Sequence, residues 1–293
     1  MPARAGCKAA RCLMPHLLLI TCPDAPGLIH TITGVLLGQQ LNILRNDEFV
    51  ERAEGVFFMR TEFAAPATGF DGAQLLADLR ATLPPAATVR LSGNEPKRIV
   101  LLATKEYHCL GELLLRHAFG DLNATVQAVV SNHEVLGPLV QQFGLPFHYL
   151  PHEGCSRVAH EAAVLAAVGQ YQPDFVVLAK YMRILSPEFV AHYPNRLINI
   201  HHSFLPAFVG ANPYAQAYAR GVKLIGATAH FVNNELDEGP IIAQSVLPID
   251  HTQSARELAQ AGRDVEKLTL ARALKLVLDE QVFVHGNKTI AFG

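Results

Sequence analysis

The sequence predicts an α/β protein with two domains, a small one at the amino terminus and a larger one after it. The chain has 293 residues, which is the length of about two domains, and half of them are apolar, which is enough for sizeable cores. Short apolar runs alternate with helical patterns along most of the chain. That alternation is typical of βαβ units, which build a parallel sheet.

The small domain is predicted over residues 14–93. LLLITC (17–22) is a strand-like run, and PDAPG after it has the residues of a turn. A helical pattern, two strand-like runs, a second helical pattern and a closing strand follow: GLIHTITGVLLGQQ, NILRNDEFVE, GVFFMRTEF, GFDGAQLLADLRATL and ATVRLSG. The order β-α-β-β-α-β predicts a ferredoxin-like fold.

The large domain is predicted over residues 94–293, after the polar stretch GNEPKR. Its predicted strands are IVLLAT, VQAVVSN, PFHYLP, FVVLAK, LINIHH, KLIGATAHFV and EGPIIAQSVLPI. Its predicted helices are CLGELLLRHAF, EVLGPLVQQFG, RVAHEAAVLAAVGQY, PEFVAHY, AQAYARG and a long one from about 254 to 280; FVHGNKTIAF closes the chain. We therefore predict a Rossmann-like, mostly parallel sheet whose ligands bind beyond the carboxyl ends of the strands.

The composition excludes several classes of partner. Lys plus Arg number 24 and Asp plus Glu 26, without a basic block, which argues against nucleic acid or an anionic membrane surface. No apolar run reaches the length of a membrane-spanning helix. The five cysteines are scattered and lack CxxC pairing, so we expect a reducing cytoplasmic compartment rather than a disulfide framework or a zinc site.

The first thirteen residues, MPARAGCKAARCL, form a short basic stretch without acids or helical periodicity. An arginine-rich, acid-poor start also occurs in transit peptides. Only three basic residues and no serine are present, so we expect a disordered extension, dispensable for folding and activity, rather than a targeting signal.

Several nucleotide and nucleophile motifs are missing from the sequence. It has no GxxxxGK[ST], no GxSxG, and no GxGxxG after the first strand of the large domain. The first βα turn there, TKEYHCLG, has one glycine and is poorly suited to hold a phosphate. A metal site built from His201, His202, His230 and Asp237 is disfavoured, because adjacent histidines on a strand chelate poorly. We expect no metal and no cofactor.

Asn199 and His201 lie at the predicted carboxyl end of LINIHH. Residues two apart on a strand project to the same side, so an amide and an imidazole are available together to stabilise an oxyanion. A carboxylate beside the imidazole would orient it and keep it protonated. Asp237, in the polar loop NNELDEGPII, is the best candidate, although an acid in such a loop is more often simply solvated.

Further motifs resemble a known family. NIHHSFLPAF, GANPYAQAYARGVKLIGATAHFV and LDEGPII are similar to the folate-dependent formyltransferase fold. The second His of HHSFLPAF, where transferases usually have Pro, resembles the formyltetrahydrofolate deformylase family. TKEYHCLGELL, VVSNHE, FGLPFHYLP, LAKYMRILSPEF and GNKTIAF also resemble that family, from about residue 95 to 293. The small domain, with its PDAPGL turn, resembles an ACT domain.

The resemblance implies a set of site residues. Asn199, His201 and Asp237 correspond to the family's catalytic residues. The implied substrate-binding residues are Met182, Arg183, Ile184, Leu185, His202, His230, Asn233, Asn234, Glu235 and Leu236. Val209 and Asn212 stand where the hydrolase pattern commonly has Lys, which weakens the expectation of a basic rim for the folate tail.

The resemblance also implies a reaction, hydrolysis of 10-formyltetrahydrofolate to formate and tetrahydrofolate, which balances one-carbon pools and supplies formate for purine synthesis. The alternatives are a formyltransferase to an unidentified amine and a non-catalytic ACT-type sensor. The ACT-like domain implies a homo-oligomer and an amino-acid effector. We expect the effector near Asp24 and Gly27, with Asn42 across from them.

Overall fold

The computed structural model describes residues 15–66, 69–93, 95–206 and 213–293. The chain forms two compact units, the first ending at Glu95 and the second beginning at Pro96. The predicted extension of residues 1–13 lies outside the described residues. In the described ranges, no helix has both the length and the apolar character needed to cross a membrane.

The first unit is an antiparallel sheet with two helices. Its elements are β1 (His16–Pro23), α1 (Leu28–Gly38), β2 (Asn42–Glu51), β3 (Val56–Ala64), α2 (Gly72–Thr82) and β4 (Thr88–Ser92). The strand order is β2-β3-β1-β4, and every pair is antiparallel. Leu18 and Ile20 of β1 share a core with Ile32 of α1 and Leu75 of α2. This is the ferredoxin-like arrangement that the sequence predicts.

The second unit contains a seven-stranded mixed sheet. Its elements as far as the sixth helix are β5 (Lys97–Ala103), α3 (His108–Phe119), β6 (Ala124–Ser131), a 3₁₀ turn (Glu134–Leu136), α4 (Gly137–Gln142), β7 (Phe147–Tyr149), α5 (Arg157–Gly169), β8 (Phe175–Leu178) and α6 (Pro187–His192). The remaining elements are β9 (Leu197–His201), α7 (Pro213–Arg220), β10 (Leu224–Phe231), β11 (Ile241–Pro248), α8 (Ala255–Leu278), β12 (Val282–His285) and β13 (Lys288–Ala291).

The strand order of this sheet is β11-β10-β9-β8-β5-β6-β7. The strands from β9 to β7 run parallel, whereas β10 and β11 are antiparallel to their neighbours, so the prediction of a mostly parallel sheet is confirmed. The chain passes from β5 outward to β7 and then returns to β8 on the other side of β5. The carboxyl ends of β5 and β8 therefore form the topological switch point, where such sheets usually bind ligands.

The two faces of the sheet have separate cores, and this decides where the polar residues of β9 point. Ile198 and Ile200 pack in a core with Leu270 and Leu274 of α8. Leu197 belongs to the opposite core, with residues of α5 and α6. Because side chains alternate along a strand, Asn199 and His201 face the α5 and α6 side.

Candidate active site

Asn199 and His201 occupy the third and last positions of β9, as expected from the sequence. In the antiparallel pair of β9 and β10, Asn199 lies opposite His230. Directly opposite residues share a face of the sheet, so all three polar side chains lie on the same face. Asn199 Nδ2 is 3.3 Å from His230 Nε2, and His230 Nδ1 is 2.8 Å from the carbonyl oxygen of Phe231.

Asp237 lies in the loop between β10 and β11, and the shape of this loop brings it back to the strands. The base of the loop is closed by a hydrogen bond from the Phe231 amide to the carbonyl of Pro240, at 2.9 Å. A Cβ at Gly239 would overlap the carbonyl of Phe231, so only glycine fits this position. Asp237 itself has a φ of 59°, an uncommon left-handed conformation of the kind often found at functional sites.

The Asp237 carboxylate contacts both histidines of this face. Its Oδ2 is 3.2 Å from His201 Nδ1, and its Oδ1 is 3.7 Å from His230 Nε2. Burial opposes the charged form of Asp237, but the hydrogen bond from His201 and then the proximity of His230 outweigh it and hold its pKa well below the usual range. Asp237 is therefore a charged carboxylate that accepts a hydrogen bond from His201 Nδ1.

The other ring nitrogen of His201 is open. Nε2 is buried and has no hydrogen-bond partner among the described residues. A buried polar atom without a partner is costly, and a catalytic role is one of the reasons for which such an atom is retained. With Nδ1 held by Asp237, this nitrogen is available to donate to a substrate oxygen, beside the amide of Asn199.

His202 lies just beyond the end of β9, whereas the sequence places it inside the strand. Its ring stacks on that of His201, with centroids 5.0 Å apart and an interplanar angle of 21°. Burial and then the charges of Lys180 and His201 lower the pKa of His202 to about 4, against weaker opposing effects of Glu266 and Asp237. His202 is therefore neutral at pH 7.

The remaining predicted substrate-binding residues lie in two loops. Residues 182–185 follow β8, and Met182 and Ile184 there are 63% and 61% exposed. Residues 233–236 precede Asp237 in its own loop, where Asn233 Oδ1 accepts from the Glu235 amide at 3.1 Å and Leu236 is 57% exposed. No hydrogen bond or ion pair joins residues 182–185 to Asn199, His201 or Asp237 within the described part of the chain. Val209 and Asn212 lie outside the described residues.

A buried charged cluster at the switch point was missed by the sequence analysis. Glu266 of α8 is 1% exposed. Its carboxylate lies 2.7 Å from His108 Nε2 and 3.2 Å from Lys180 Nζ, and it accepts from the Tyr214 hydroxyl at 2.6 Å. The sequence offers no signal for it, because Glu266 reads as one of several acids on a charged helix. His108, expected in the βα turn, instead opens helix α3, one residue before the predicted start at Cys109.

The same cluster supplies the one group of three potential metal ligands found among the described residues, His108, Cys109 and Glu266. Its donors do not suit a metal. The oxygens of Glu266 already accept from Lys180 and Tyr214, and burial raises the pKa of the Cys109 thiol far above its usual value. A thiol that stays protonated is a poor ligand.

The predicted effector residues of the first unit are only partly brought together. A cavity of about 700 Å³ follows the turn after β1 and is lined by Asp24, Gly27, Phe49 and Arg52, among others. The expectation for Asn42 is wrong. Asn42 pairs with Ala64, which lies beside the first residues of β1, whereas the Asp24–Gly27 turn follows the last residue of β1. Strands β1 and β2 are both antiparallel to β3, so they run in the same direction, and the last residues of β2 lie near the turn that follows β1.

Comparison with known proteins agrees with this architecture. The formyl transferase family model matches residues 97–274. The chain is 54% identical over 274 residues to a formyltetrahydrofolate deformylase of Haemophilus influenzae, covering 94% of this chain and 98% of that protein. It is 44% identical to the deformylase of Bacillus subtilis, covering 94% and 93%.

The solved structures similar to this protein differ in how much of the chain they cover. A formyltetrahydrofolate deformylase from Pseudomonas syringae pv. tomato superposes with a TM-score of 0.91 at 38% identity, covering 97% of this chain and 96% of that one. Glycinamide ribonucleotide transformylase 1 from Symbiobacterium toebii has a TM-score of 0.65 at 28% identity and covers 70% of this chain and 98% of its own. The deformylase thus matches along both units, and the chain belongs to the formyltetrahydrofolate deformylase family.

Proposed function

We propose that this protein hydrolyses 10-formyltetrahydrofolate to formate and tetrahydrofolate, with Asn199, His201 and Asp237 as its catalytic residues. The observation that carries the proposal is the contact between Asp237 and His201 Nδ1, at 3.2 Å, which leaves His201 Nε2 buried and open beside Asn199. Such an arrangement suits a formyl oxygen that gains negative charge.

The reaction follows from the placement of these donors. Water attacks the formyl carbon, and the oxygen of that carbon becomes negative in the tetrahedral intermediate. Protonated His201 donates to this oxygen from Nε2, and the amide of Asn199 donates from the same face. The intermediate collapses when the bond from carbon to N10 breaks and N10 receives a proton. Formate and tetrahydrofolate leave, and neither a metal nor an organic cofactor takes part.

Asp237 holds the imidazolium of His201 in the orientation that this donation requires. A second role for Asp237 is to relay protons between the water and N10. The lowered pKa of Asp237 makes the orienting role the stronger of the two, because a carboxylate so strongly stabilised in its charged form takes up a proton reluctantly.

The folate itself is proposed to lie against the loops after β8 and β10. Met182, Ile184 and Leu236 are large apolar side chains exposed on these loops, suited to the flat ring system of a folate. Arg183, Leu185, Asn233, Asn234 and Glu235 complete the proposed lining. The product formate would then enter purine synthesis and the release of tetrahydrofolate would balance one-carbon pools, in the reducing cytoplasm that the cysteines favour.

The first unit is proposed to regulate and assemble the enzyme. An amino acid would bind in the cavity at Asp24 and Gly27, where a backbone turn and polar side chains border apolar residues. Strands β2 and β4 are the edges of the four-stranded sheet. Edges of this kind are commonly covered by pairing, so we infer a homo-oligomer.

The test is formate release from 10-formyltetrahydrofolate without any added amine. Catalytic release of formate supports the hydrolase. Turnover that requires an added amine would instead make the protein a transferase, and binding of the folate without turnover would make it a sensor. The Asn199→Ala variant is the matched control, and we expect its turnover to fall roughly 100-fold or more.

A further inference from the structure

The switch point between β5 and β8 is occupied by the protein's own charged side chains. Thr104, after β5, donates its hydroxyl hydrogen to the carbonyl of Lys180, after β8, at 2.8 Å. Lys180 has a φ of 63°, a left-handed conformation that aims its buried side chain at Glu266, 3.2 Å away. The place where this type of sheet usually binds a ligand thus contains an internal ion pair.

Glu266 joins this ion pair to helix α7. Its second oxygen accepts from the Tyr214 hydroxyl at 2.6 Å. A Cβ at Gly262 of α8 would overlap the ring of Tyr214, so the ring lies directly on the helix backbone. Burial opposes the charge of Glu266, but the hydrogen bond from His108 and the charge of Lys180 lower its pKa to about 2. Tyr214 is therefore fixed both by packing and by a charged acceptor.

His202 lies between this cluster and the catalytic histidine. One side of its ring stacks on His201 at 5.0 Å, and the ring of Tyr214 is 6.4 Å away. No hydrogen bond joins His202 to another residue in the part of the chain that the structure describes. A half-buried neutral imidazole in this position has a ring nitrogen that can accept a hydrogen bond.

Hydrolysis needs such an acceptor, and the three catalytic residues are already engaged as donors or by one another. Asn199 and protonated His201 are donors toward the formyl oxygen, and Asp237 is held by the two histidines. A water that attacks the formyl carbon approaches at a steep angle to the plane of the formyl group. The ring of His202 stacks on that of His201, with centroids 5.0 Å apart, so its nitrogens lie next to the proposed oxyanion donor.

We propose that His202 holds the attacking water and accepts its proton, and that the cluster of Tyr214, Glu266 and Lys180 positions the ring of His202. This rests on the proposed hydrolase function and adds a residue to it. As the water oxygen bonds to the formyl carbon, one proton passes from water to the free nitrogen of His202. When the bond from carbon to N10 breaks, that proton passes to N10, and the formic acid that is released loses its remaining acidic proton to solvent as formate. No oxidant, reductant or further reactant is required.

The first test replaces His202 in the full-length protein. His202→Phe keeps a flat ring for stacking but removes the acceptor nitrogen, and we expect kcat to fall roughly 100-fold with KM changed less than about threefold. In His202→Ala, added imidazole should restore turnover, whereas pyrrole, which has the same shape but no basic nitrogen, should not. Wild-type kcat in His202→Phe, or equal rescue by both compounds, would overturn the proposal.

The second test asks whether the cluster acts through His202. Tyr214→Phe removes one hydroxyl and keeps the ring, and we expect kcat to fall about tenfold at unchanged KM. In the His202→Phe background the same change should have no further effect. Tyr218→Phe, at a 53% exposed tyrosine of the same helix, is the control and should leave kcat unchanged. Additive losses for Tyr214 and His202 would refute positioning through His202.

These tests separate this proposal from the function on which it rests. Absence of formate release by the wild-type protein refutes the hydrolase itself. Normal release by the wild type together with undiminished release by the His202 variants refutes only the role of His202.

Discussion

At the scale of single residues, the arrangement of Asp237 explains most of the proposed chemistry. Its carboxylate contacts His201 and His230 from a left-handed backbone position. The second ring nitrogen of His201, Nε2, is left without a hydrogen-bond partner among the described residues. When Asp237 holds one ring nitrogen and the other has no partner, the histidine can donate a hydrogen bond to a substrate only from that second nitrogen.

We expect Asp237→Asn to fold normally and to lose formate release by at least about 100-fold, because a neutral amide no longer stabilises the charge of the His201 imidazolium. Formate release and thermal unfolding are to be measured on the same preparations. Asp250→Asn, in an exposed turn where the side chain bonds to Thr252, is the control and should keep wild-type turnover. Wild-type turnover in Asp237→Asn would exclude the proposed mechanism.

The same carboxylate predicts a dependence of stability on pH. Burial raises the pKa of Asp237, but the histidines lower it more, so the folded-state pKa lies below the usual value near 3.9. Ionised Asp237 therefore stabilises the fold fully above about pH 5, and this contribution is lost as the pH falls below the usual pKa. Urea unfolding should show that wild type loses more unfolding free energy than Asp237→Asn between pH 5 and pH 3. Parallel losses in both proteins would contradict it.

The site residues that the sequence predicted depend on local periodicity, whereas those it missed depend on tertiary packing. Asn199 and His201 are found from strand periodicity alone, since that pattern states which side chains share a face. The pairing of Asp237 with His201 depends on how a nine-residue loop folds back, which periodicity does not describe. Glu266 meets Lys180 and Tyr214 only through tertiary packing, and no local pattern distinguishes it from a solvated acid.

At the scale of elements, the loop between β10 and β11 is the most constrained part of the site. Its ends are joined through Phe231 and Pro240, and Gly239 packs its backbone against a carbonyl. The strands and helices themselves follow the sequence patterns closely, because long apolar runs and helical spacing are strong local signals. The ends are less well determined: β9 stops at His201, one residue before the predicted end, and this frees His202 from the strand.

We expect Gly239→Ala to reduce turnover by roughly tenfold or more, because the added Cβ displaces the loop that carries Asp237. The loss should appear mainly in kcat, measured by formate release, because the loop shifts Asp237 away from His201 while the sheet stays folded. Gly169→Ala, at the end of α5 where no atom lies within 4 Å of the added Cβ, is the matched control. Equal behaviour of the two variants would show that the loop is tolerant.

At the scale of the whole molecule, the division into two units separates the proposed catalysis from the proposed regulation. Every proposed catalytic and substrate-binding residue lies after Pro96, in a unit with cores on both faces of its sheet. The cavity at Asp24 and Gly27 lies in the first unit. An effector acts only if it binds the active and inactive forms with different affinity.

When single amino acids are titrated against turnover, the rate of the full-length chain should change. A chain that starts near Gly93 is expected to retain formate release and to lose this response. It should also form a smaller assembly, measured by sedimentation. A full-length enzyme whose rate no amino acid changes would refute the regulatory role. An unchanged assembly size after truncation would refute the role in assembly.

The stacked rings of His201 and His202 have a consequence for how this protein takes up protons. Two positive charges 5.0 Å apart repel by about 3 kcal/mol at the effective dielectric constant of a protein. A positive charge on the His201 ring is therefore one of the causes, after burial and Lys180, that lower the pKa of His202 to about 4. A neutral side chain in place of His201 would remove this repulsion, so the pKa of His202 would rise from its lowered value and the stacked ring would carry the charge that His201 had excluded.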